Sequence, residues 1–370
     1  MIYNSIEPDR SKNGEEVHLK YSSLRSVFCC KSKKKKIMKF NHIQYFLILT
    51  ILFYSCGVEE EIDEFSYSNE TTFGIRHDRS LSEYETIAAN SDPKKPDFSP
   101  VISFSYSLDG SSNHDYVASG VLIDSEWILT AGHNFYDTQS QNNPALVSGI
   151  AVKVGNNPNN PDSIVTVSEL VFHPTWLDGQ QGIEHANDLC LVKLTVPITG
   201  ITPAILFSTN SEQLNEEVWH CGFGVYSDQP GQDSNLDSNK HAIQNILDRI
   251  ETGFETSVGG IIYSGGLLAF DFDNPSGTIN SLGDDLVNED ESILGLGSSS
   301  PMCLNFEGTT VTGDSGGPLF LKDNGVWKVV GILSGGAVDP INNHIDGDYG
   351  DISIYTQVSS IYNWINSTIN

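Results

Sequence analysis

Gly313-Asp314-Ser315-Gly316-Gly317-Pro318-Leu319 is the stretch on which the reading of this chain turns. Glycines on both sides of one serine permit a tight backbone turn, after which Leu319-Phe320-Leu321 re-enters a strand. Such a turn presents a hydroxyl and lets backbone N–H groups converge beside it. Two earlier segments belong with it. Leu129-Thr130-Ala131-Gly132-His133 ends an apolar strand in a small-residue turn, and in Asn187-Asp188-Leu189-Cys190-Leu191-Val192-Lys193-Leu194 an acid opens a buried strand. Taken singly, each has an ordinary explanation: a satisfied polar residue, a turn former, a glycine loop. Together they meet a chemical specification. A serine hydroxyl is a poor nucleophile until a neutral imidazole takes its proton. That imidazole in turn needs a buried carboxylate on its other nitrogen.

The order His133, Asp188, Ser315 within these motifs resembles the trypsin/chymotrypsin-like serine endopeptidases. The similarity runs over roughly residues 100–368. It includes Gly120-Val121-Leu122-Ile123 with Trp127-Ile128-Leu129-Thr130, Cys221-Gly222-Phe223-Gly224, Ser334-Gly335-Gly336, Ile354-Tyr355-Thr356 and a helix around Trp364. The resemblance implies an all-β fold of two antiparallel six-stranded β-barrels, chymotrypsin-like, with a C-terminal helix. It also implies a catalytic site in the cleft between the barrels. His133 is then general base and acid, Asp188 orients it, and Ser315 attacks a peptide carbonyl to form an acyl-enzyme. The N–H groups of Gly313 and Ser315 form the oxyanion hole. Ser334 stands beside the acid, and residues 334–336 pair with the substrate backbone. No cofactor is implied.

The same resemblance locates the specificity pocket. Thr309 stands six residues before the nucleophile, where trypsin-like members carry an acid, and Gly336 and Ser353 form the opposite wall. With no charge at the base, a buried Arg or Lys would lack a counter-ion. The expected P1 side chain is small or medium and apolar.

The chain also departs from the family pattern. Asn134 follows the catalytic histidine where a cysteine is common, and Val311 stands where another is usual. Of the three cysteines in this region, Cys190 reads as a free core thiol. Cys221 and Cys303 are the only pair worth entertaining as a disulfide. In the family, proteolysis frees an apolar N-terminus whose ammonium pairs with the acid preceding the nucleophile, here Asp314. No Ile-Val-Gly-Gly segment is present. Ile75, in Phe73-Gly74-Ile75-Arg76, is the candidate new terminus, and activity without processing is the alternative.

Composition agrees with a strand-and-loop protein. Of 370 residues, 38% are hydrophobic and 10% aromatic, enough for a sizeable core, and 33 glycines outnumber 15 prolines. No run of eighteen apolar residues occurs, which argues against a membrane-spanning helix. Residues 1–39 carry 10 Lys/Arg against 4 Asp/Glu, and the remainder 10 against 44, giving the net −28. So acidic a body repels phosphate backbones, which excludes nucleic acid as a partner. Lys31-Ser32-Lys33-Lys34-Lys35-Lys36 and Met38-Lys39 precede an apolar run, 45–54, and Ser55-Cys56-Gly57. That is an export signal, too short to span a bilayer. Its end resembles a bacterial lipobox, with Phe53 in place of the usual Leu, so Cys56 is the expected lipid attachment site. A buried core helix is the competing reading, but no amphipathic period supports it.

The expected division is 1–37 as a gene-model extension before a start at Met38, 38–56 as export signal, 57–99 as tether or pro-region, and 100–370 as the peptidase domain. The acidic 59–64 reads as a surface-export mark or a solvated tether. Residues 228–300 read as a long surface insertion with a helix at 242–250. The expected protein is an exported monomer, secreted or held at the cell surface or outer membrane through Cys56, acting on proteins or peptides.

Other readings fit less well. Gly313-x-Ser315-x-Gly317 matches an α/β-hydrolase elbow, but only His344 follows and Pro318 opposes the required helix. A catalytically silent module that keeps the fold is the alternative from another class, yet no triad member is lost. Asp271, Asp273, Asp284, Asp285, Glu289, Asp290 and Glu291 match no defined calcium loop and read as solvated surface. His173, His185, His220 and His241 lack zinc-ligand spacing.

Overall fold

Short β-branched and aromatic runs, punctuated by Gly, Asn and Asp turns, build thirteen strands among the described residues of the computed structural model. Those residues are 74–136, 144–177, 179, 181–226, 239–283, 291–337 and 347–370. The expected export signal, Cys56 and the acidic tract 59–64 lie outside them. Among the described residues no helix is long and apolar enough to cross a membrane.

Strands β1 (Val101–Tyr106), β2 (Tyr116–Asp124), β3 (Trp127–Thr130), β4 (Ile150–Val154), β5 (Ser163–Phe172) and β6 (Cys190–Leu194) form a closed barrel in the order β1-β2-β3-β6-β5-β4. Its interior is packed by Ile102, Phe104, Ile128, Phe135, Val152 and Val192, all fully buried. Closure leaves no exposed edge on this sheet.

The second unit is a seven-stranded antiparallel sheet. It comprises β7 (Glu217–Gly222), β8 (His241–Ile246), β9 (Arg249–Val258), β10 (Ile261–Asp271), β11 (Pro318–Asp323), β12 (Val326–Ala337) and β13 (Ile352–Gln357). Their order is β8-β7-β11-β12-β13-β10-β9. The first six repeat the first barrel's order, read as second, first, fourth, fifth, sixth, third. The addition is β9, paired along β10 with a register shift at Gly265/Gly266. The chymotrypsin-like architecture is therefore present, with seven strands instead of six in the second half. A shared core welds the two halves: Val121, Leu129 and Leu191 meet Trp219, Phe320, Ile332 and Ile361 in one buried cluster.

Three expectations change. First, residues 242–250 are not a helix but β8 and the start of β9. The β-branched Ile243 and Ile246 suit a strand, and pairing with β7 from Glu217↔Ile246 to Gly222↔His241 decides it. Residues 239–271 are thus structural strands rather than surface loop, and Asp271 and Asp273 are buried rather than solvated. Second, residues 74–99, expected within a tether or pro-region, are folded rather than a loose tether. Helix α1 (Leu81–Ala89) packs on the second half, and Ile75 and Tyr84 are fully buried among Val218, Ile243 and Leu319. The Glu83 carboxylate caps α1 by accepting from Ser80 N–H at 2.9 Å. Third, Cys190, Cys221 and Cys303 are all free thiols, so Cys221 and Cys303 form no disulfide. Besides the short helix α2 (Pro174–Leu177), the chain ends in helix α3 (Val358–Ile369), with Ile361 and Ile365 buried. Its N-cap is Gln357.

Candidate active site

His133 sits in a 3₁₀ turn, Gly132–Asn134, directly after β3. The turn lies so close to the acid that a Cβ on Gly132 would stand 3.1 Å from Asp188 Oδ1 and from the Trp176 ring. Asp188 precedes β6 and is almost wholly buried. Its Oδ1 accepts the His133 backbone N–H at 2.9 Å, and its Oδ2 stands 2.6 Å from His133 Nδ1. Ser334, on β12, donates its hydroxyl to the same Oδ2 at 2.8 Å. A carboxylate only accepts, so Nδ1 carries the proton and Nε2 is left with the lone pair. Desolvation disfavours the imidazolium, but the Asp188 charge and hydrogen bond outweigh it and hold the His133 pKa above its ordinary value.

Ser315 lies in the turn that enters β11. Gly313 and Gly316, at φ +98° and +82°, take the left-handed region that the expected turn requires. The Ser315 carbonyl accepts from Ser119 N–H at 2.9 Å and from Asn134 Nδ2 at 3.1 Å. Ser119 Oγ donates to the Gly313 carbonyl at 2.9 Å, and Thr130 Oγ1 donates to the Ser119 carbonyl at 2.7 Å. The serine turn is thereby fastened to β2, to β3 and to the residue next to His133. Among the described residues no hydrogen bond reaches Ser315 Oγ. Contacts of that kind often tighten only when substrate arrives.

The expected pocket residues are brought together. Thr309 Oγ1 and Ser353 Oγ are 3.0 Å apart and both buried, and Gly336 pairs with Ser353 across β12 and β13. Thr310, which sequence reasoning passed over, joins them: its Oγ1 lies 3.0 Å from Ser353 Oγ. The cluster is three neutral hydroxyls. Gly335 pairs with Ile354 on the same strand pair.

Asp314 is fully buried and surrounded. Gly224 N–H (2.8 Å), Val311 N–H (3.1 Å) and the Tyr226 hydroxyl (3.0 Å) donate to it, while His241 Nε2 and His220 Nε2 stand 3.1 and 3.5 Å from Oδ1. Burial alone would favour the neutral acid, yet His241 and His220 hold Asp314 well below the usual carboxylate range. Sequence reasoning missed these two histidines because it tested them only as zinc ligands. It missed Ser119, Thr130 and Asn134 as well, since nothing in sequence spacing joins a serine in β2 to a loop almost two hundred residues later.

The arrangement can orient an imidazole base, hold a serine turn beside it, and set three neutral hydroxyls together. Comparisons with known proteins bear on the family. The family model described as Trypsin matches residues 97–256 and 288–365, skipping a segment that contains β10. Urokinase-type plasminogen activator of Gallus gallus is 24% identical over 267 residues, covering 69% of this chain and 51% of the relative. Transmembrane protease serine 11G of Rattus norvegicus is 27% identical over 260 residues, covering 69% of this chain and 50% of the relative. The chain spans about half the length of these curated relatives.

Proposed function

The chain belongs to the trypsin family, and from that membership we propose that it is a serine endopeptidase acting through Ser315, His133 and Asp188. The observation that carries this reading is the buried Asp188 carboxylate shared by His133 N–H, His133 Nδ1 and Ser334 Oγ. That carboxylate has no structural duty that requires an imidazole at 2.6 Å, whereas a general base requires just such a partner.

In the proposed reaction His133 Nε2 takes the proton of Ser315 Oγ as the oxygen attacks the scissile carbonyl. The N–H groups of Gly313 and Ser315 receive the developing oxyanion. His133 then returns the proton to the leaving amine, and water releases the acyl-enzyme by the same path in reverse. The substrate backbone pairs with residues 334–336, and the P1 side chain enters the hydroxyl-lined cleft of Thr309, Thr310 and Ser353. A pocket without a carboxylate favours small or medium apolar P1 residues and disfavours Arg and Lys. The substrates are proteins or peptides. The basic and apolar run before Ser55-Cys56 supports export, with Cys56 as the lipid attachment point of a cell-surface or outer-membrane form.

Cleavage profiling on a peptide library tests the reading. Cuts after small or medium apolar residues, absent with Ser315→Ala, are expected. Dominant cutting after Arg or Lys would overturn the pocket assignment, and cutting undiminished in Ser315→Ala would overturn the nucleophile.

A further inference from the structure

In the family this chain resembles, the acid before the nucleophile is charge-paired by an ammonium that proteolysis releases. Here that place is filled from within. Both Asp314 oxygens are already engaged, by two backbone N–H groups, the Tyr226 hydroxyl and the facing His241 and His220. The glycines around it leave no slack: a Cβ on Gly222 or Gly224 would stand 2.2 or 2.4 Å from an Asp314 oxygen. Residues 74 and 75, where a freed terminus was expected, are instead tied down along the chain. Gly74 N–H donates to the Gly347 carbonyl at 2.6 Å, Gly74 O accepts from Thr309 N–H at 3.0 Å, and Ile75 bridges to Gly308.

His241 also has the chemistry for the task. Its Nε2 faces a carboxylate and its Nδ1 faces the Asn239 carbonyl at 3.4 Å, both acceptors only. A neutral ring has one N–H and satisfies one of them, whereas the imidazolium donates to both. The Tyr226 ring packs against it with centroids 3.7 Å apart. Asp314 in turn braces the serine turn from both sides: its N–H donates to Val311 O at 3.0 Å, and its carbonyl accepts from Gly317 N–H at 2.7 Å. We propose that His241, with His220 beside it, is a positioning residue that takes the place of the activating ammonium. It holds Asp314, and with it the Gly313–Ser315 oxyanion turn, in working order without cleavage of the chain. This rests on the reading of Ser315 as the nucleophile.

The groups facing His241 are Asp314, His220 and Tyr226, and Tyr355 packs against His220. Burial keeps His220 below its ordinary imidazole range and pushes Tyr226 and Tyr355 well above the tyrosine range.

The test measures peptide hydrolysis by the full 370-residue chain, with intact mass confirming that it is uncut, across pH, for wild type and His241→Gln. The expected result is an active uncut wild type whose kcat declines on the alkaline side. In His241→Gln, kcat falls at least tenfold, KM stays within about twofold, and the alkaline decline vanishes. Activity that appears only after cleavage ahead of Ile75 would overturn the proposal and leave the Ser315 assignment standing. So would a His241→Gln enzyme with wild-type kcat and pH profile. Should that variant fail to fold, the wild type decides alone: an uncut enzyme with the alkaline decline supports the proposal, and a flat alkaline limb overturns it. A chain inactive both uncut and cleaved would overturn this proposal together with the proposed function.

Discussion

Asp188 concentrates the chemistry of the site in one buried carboxylate, so the sharpest expectations attach to it. Asp188→Asn keeps the shape but presents an amide to His133 Nδ1, inviting the wrong tautomer, and kcat should fall by roughly 10⁴-fold. The pH profile carries a second signature. His133 must be neutral to accept a proton, so kcat/KM rises with pH through its pKa. Asp188 raises that pKa, which places the acid limb above the ordinary imidazole value of about 6.5. A limb in wild type at or below that value would contradict the geometry. Asn134→Ala removes the donor that ties the Ser315 carbonyl beside His133. It should lower kcat by about tenfold to a hundredfold with little change in KM, measured by steady-state kinetics. The motif residues His133, Asp188 and Ser315 stand out in the sequence as candidates because short, ordered signatures carry them. Ser119, Thr130, Asn134, His220 and His241 do not, because each acts through a backbone or carboxylate contact that only the fold creates.

Strands with strong alternation or apolar runs were readable. Residues 127–130, 190–194 and 319–321 all fall in strands as expected, in β3, β6 and β11. The segments that failed were those whose partners decide their structure. Residues 242–250 have apolar spacing that suits a helix as well as a strand, and the β7 ladder settles the choice. Residues 74–99 are polar overall, yet a few large side chains anchor them. Tyr84 is fully buried and its hydroxyl donates to the Glu307 carbonyl at 2.8 Å. Tyr84→Ala should therefore cost about 3–5 kcal/mol in urea unfolding. A loss under about 1 kcal/mol would restore the view of this segment as a tether.

The whole molecule combines a net charge of −28 with a group of buried carboxyls, Asp248, Asp271, Asp273 and Glu307. Burial pushes Asp248 and Glu307 up to about 8 and Asp273 up to about 9, so the folded protein holds protons that the unfolded chain releases near pH 4. Their contribution is fully present below about pH 4 and is lost as pH rises toward 8–9, and self-repulsion of the acidic surface acts in the same direction. Thermal unfolding should occur at a higher temperature at pH 5 than at pH 9, and Glu307→Gln should flatten part of that slope. A melting temperature that rises over this range would refute it. In the proposed site a His/Asp pair from the first half meets a serine turn from the second, with Asn134 Nδ2 donating to the Ser315 carbonyl between them. That meeting is most directly tested by mapping the site of fluorophosphonate labelling by mass spectrometry in wild type, His133→Ala and Ser315→Ala. One label per chain on Ser315, slowed at least about a thousandfold in His133→Ala and absent in Ser315→Ala, is the predicted result. Labelling elsewhere, or at an undiminished rate without the imidazole, would contradict it.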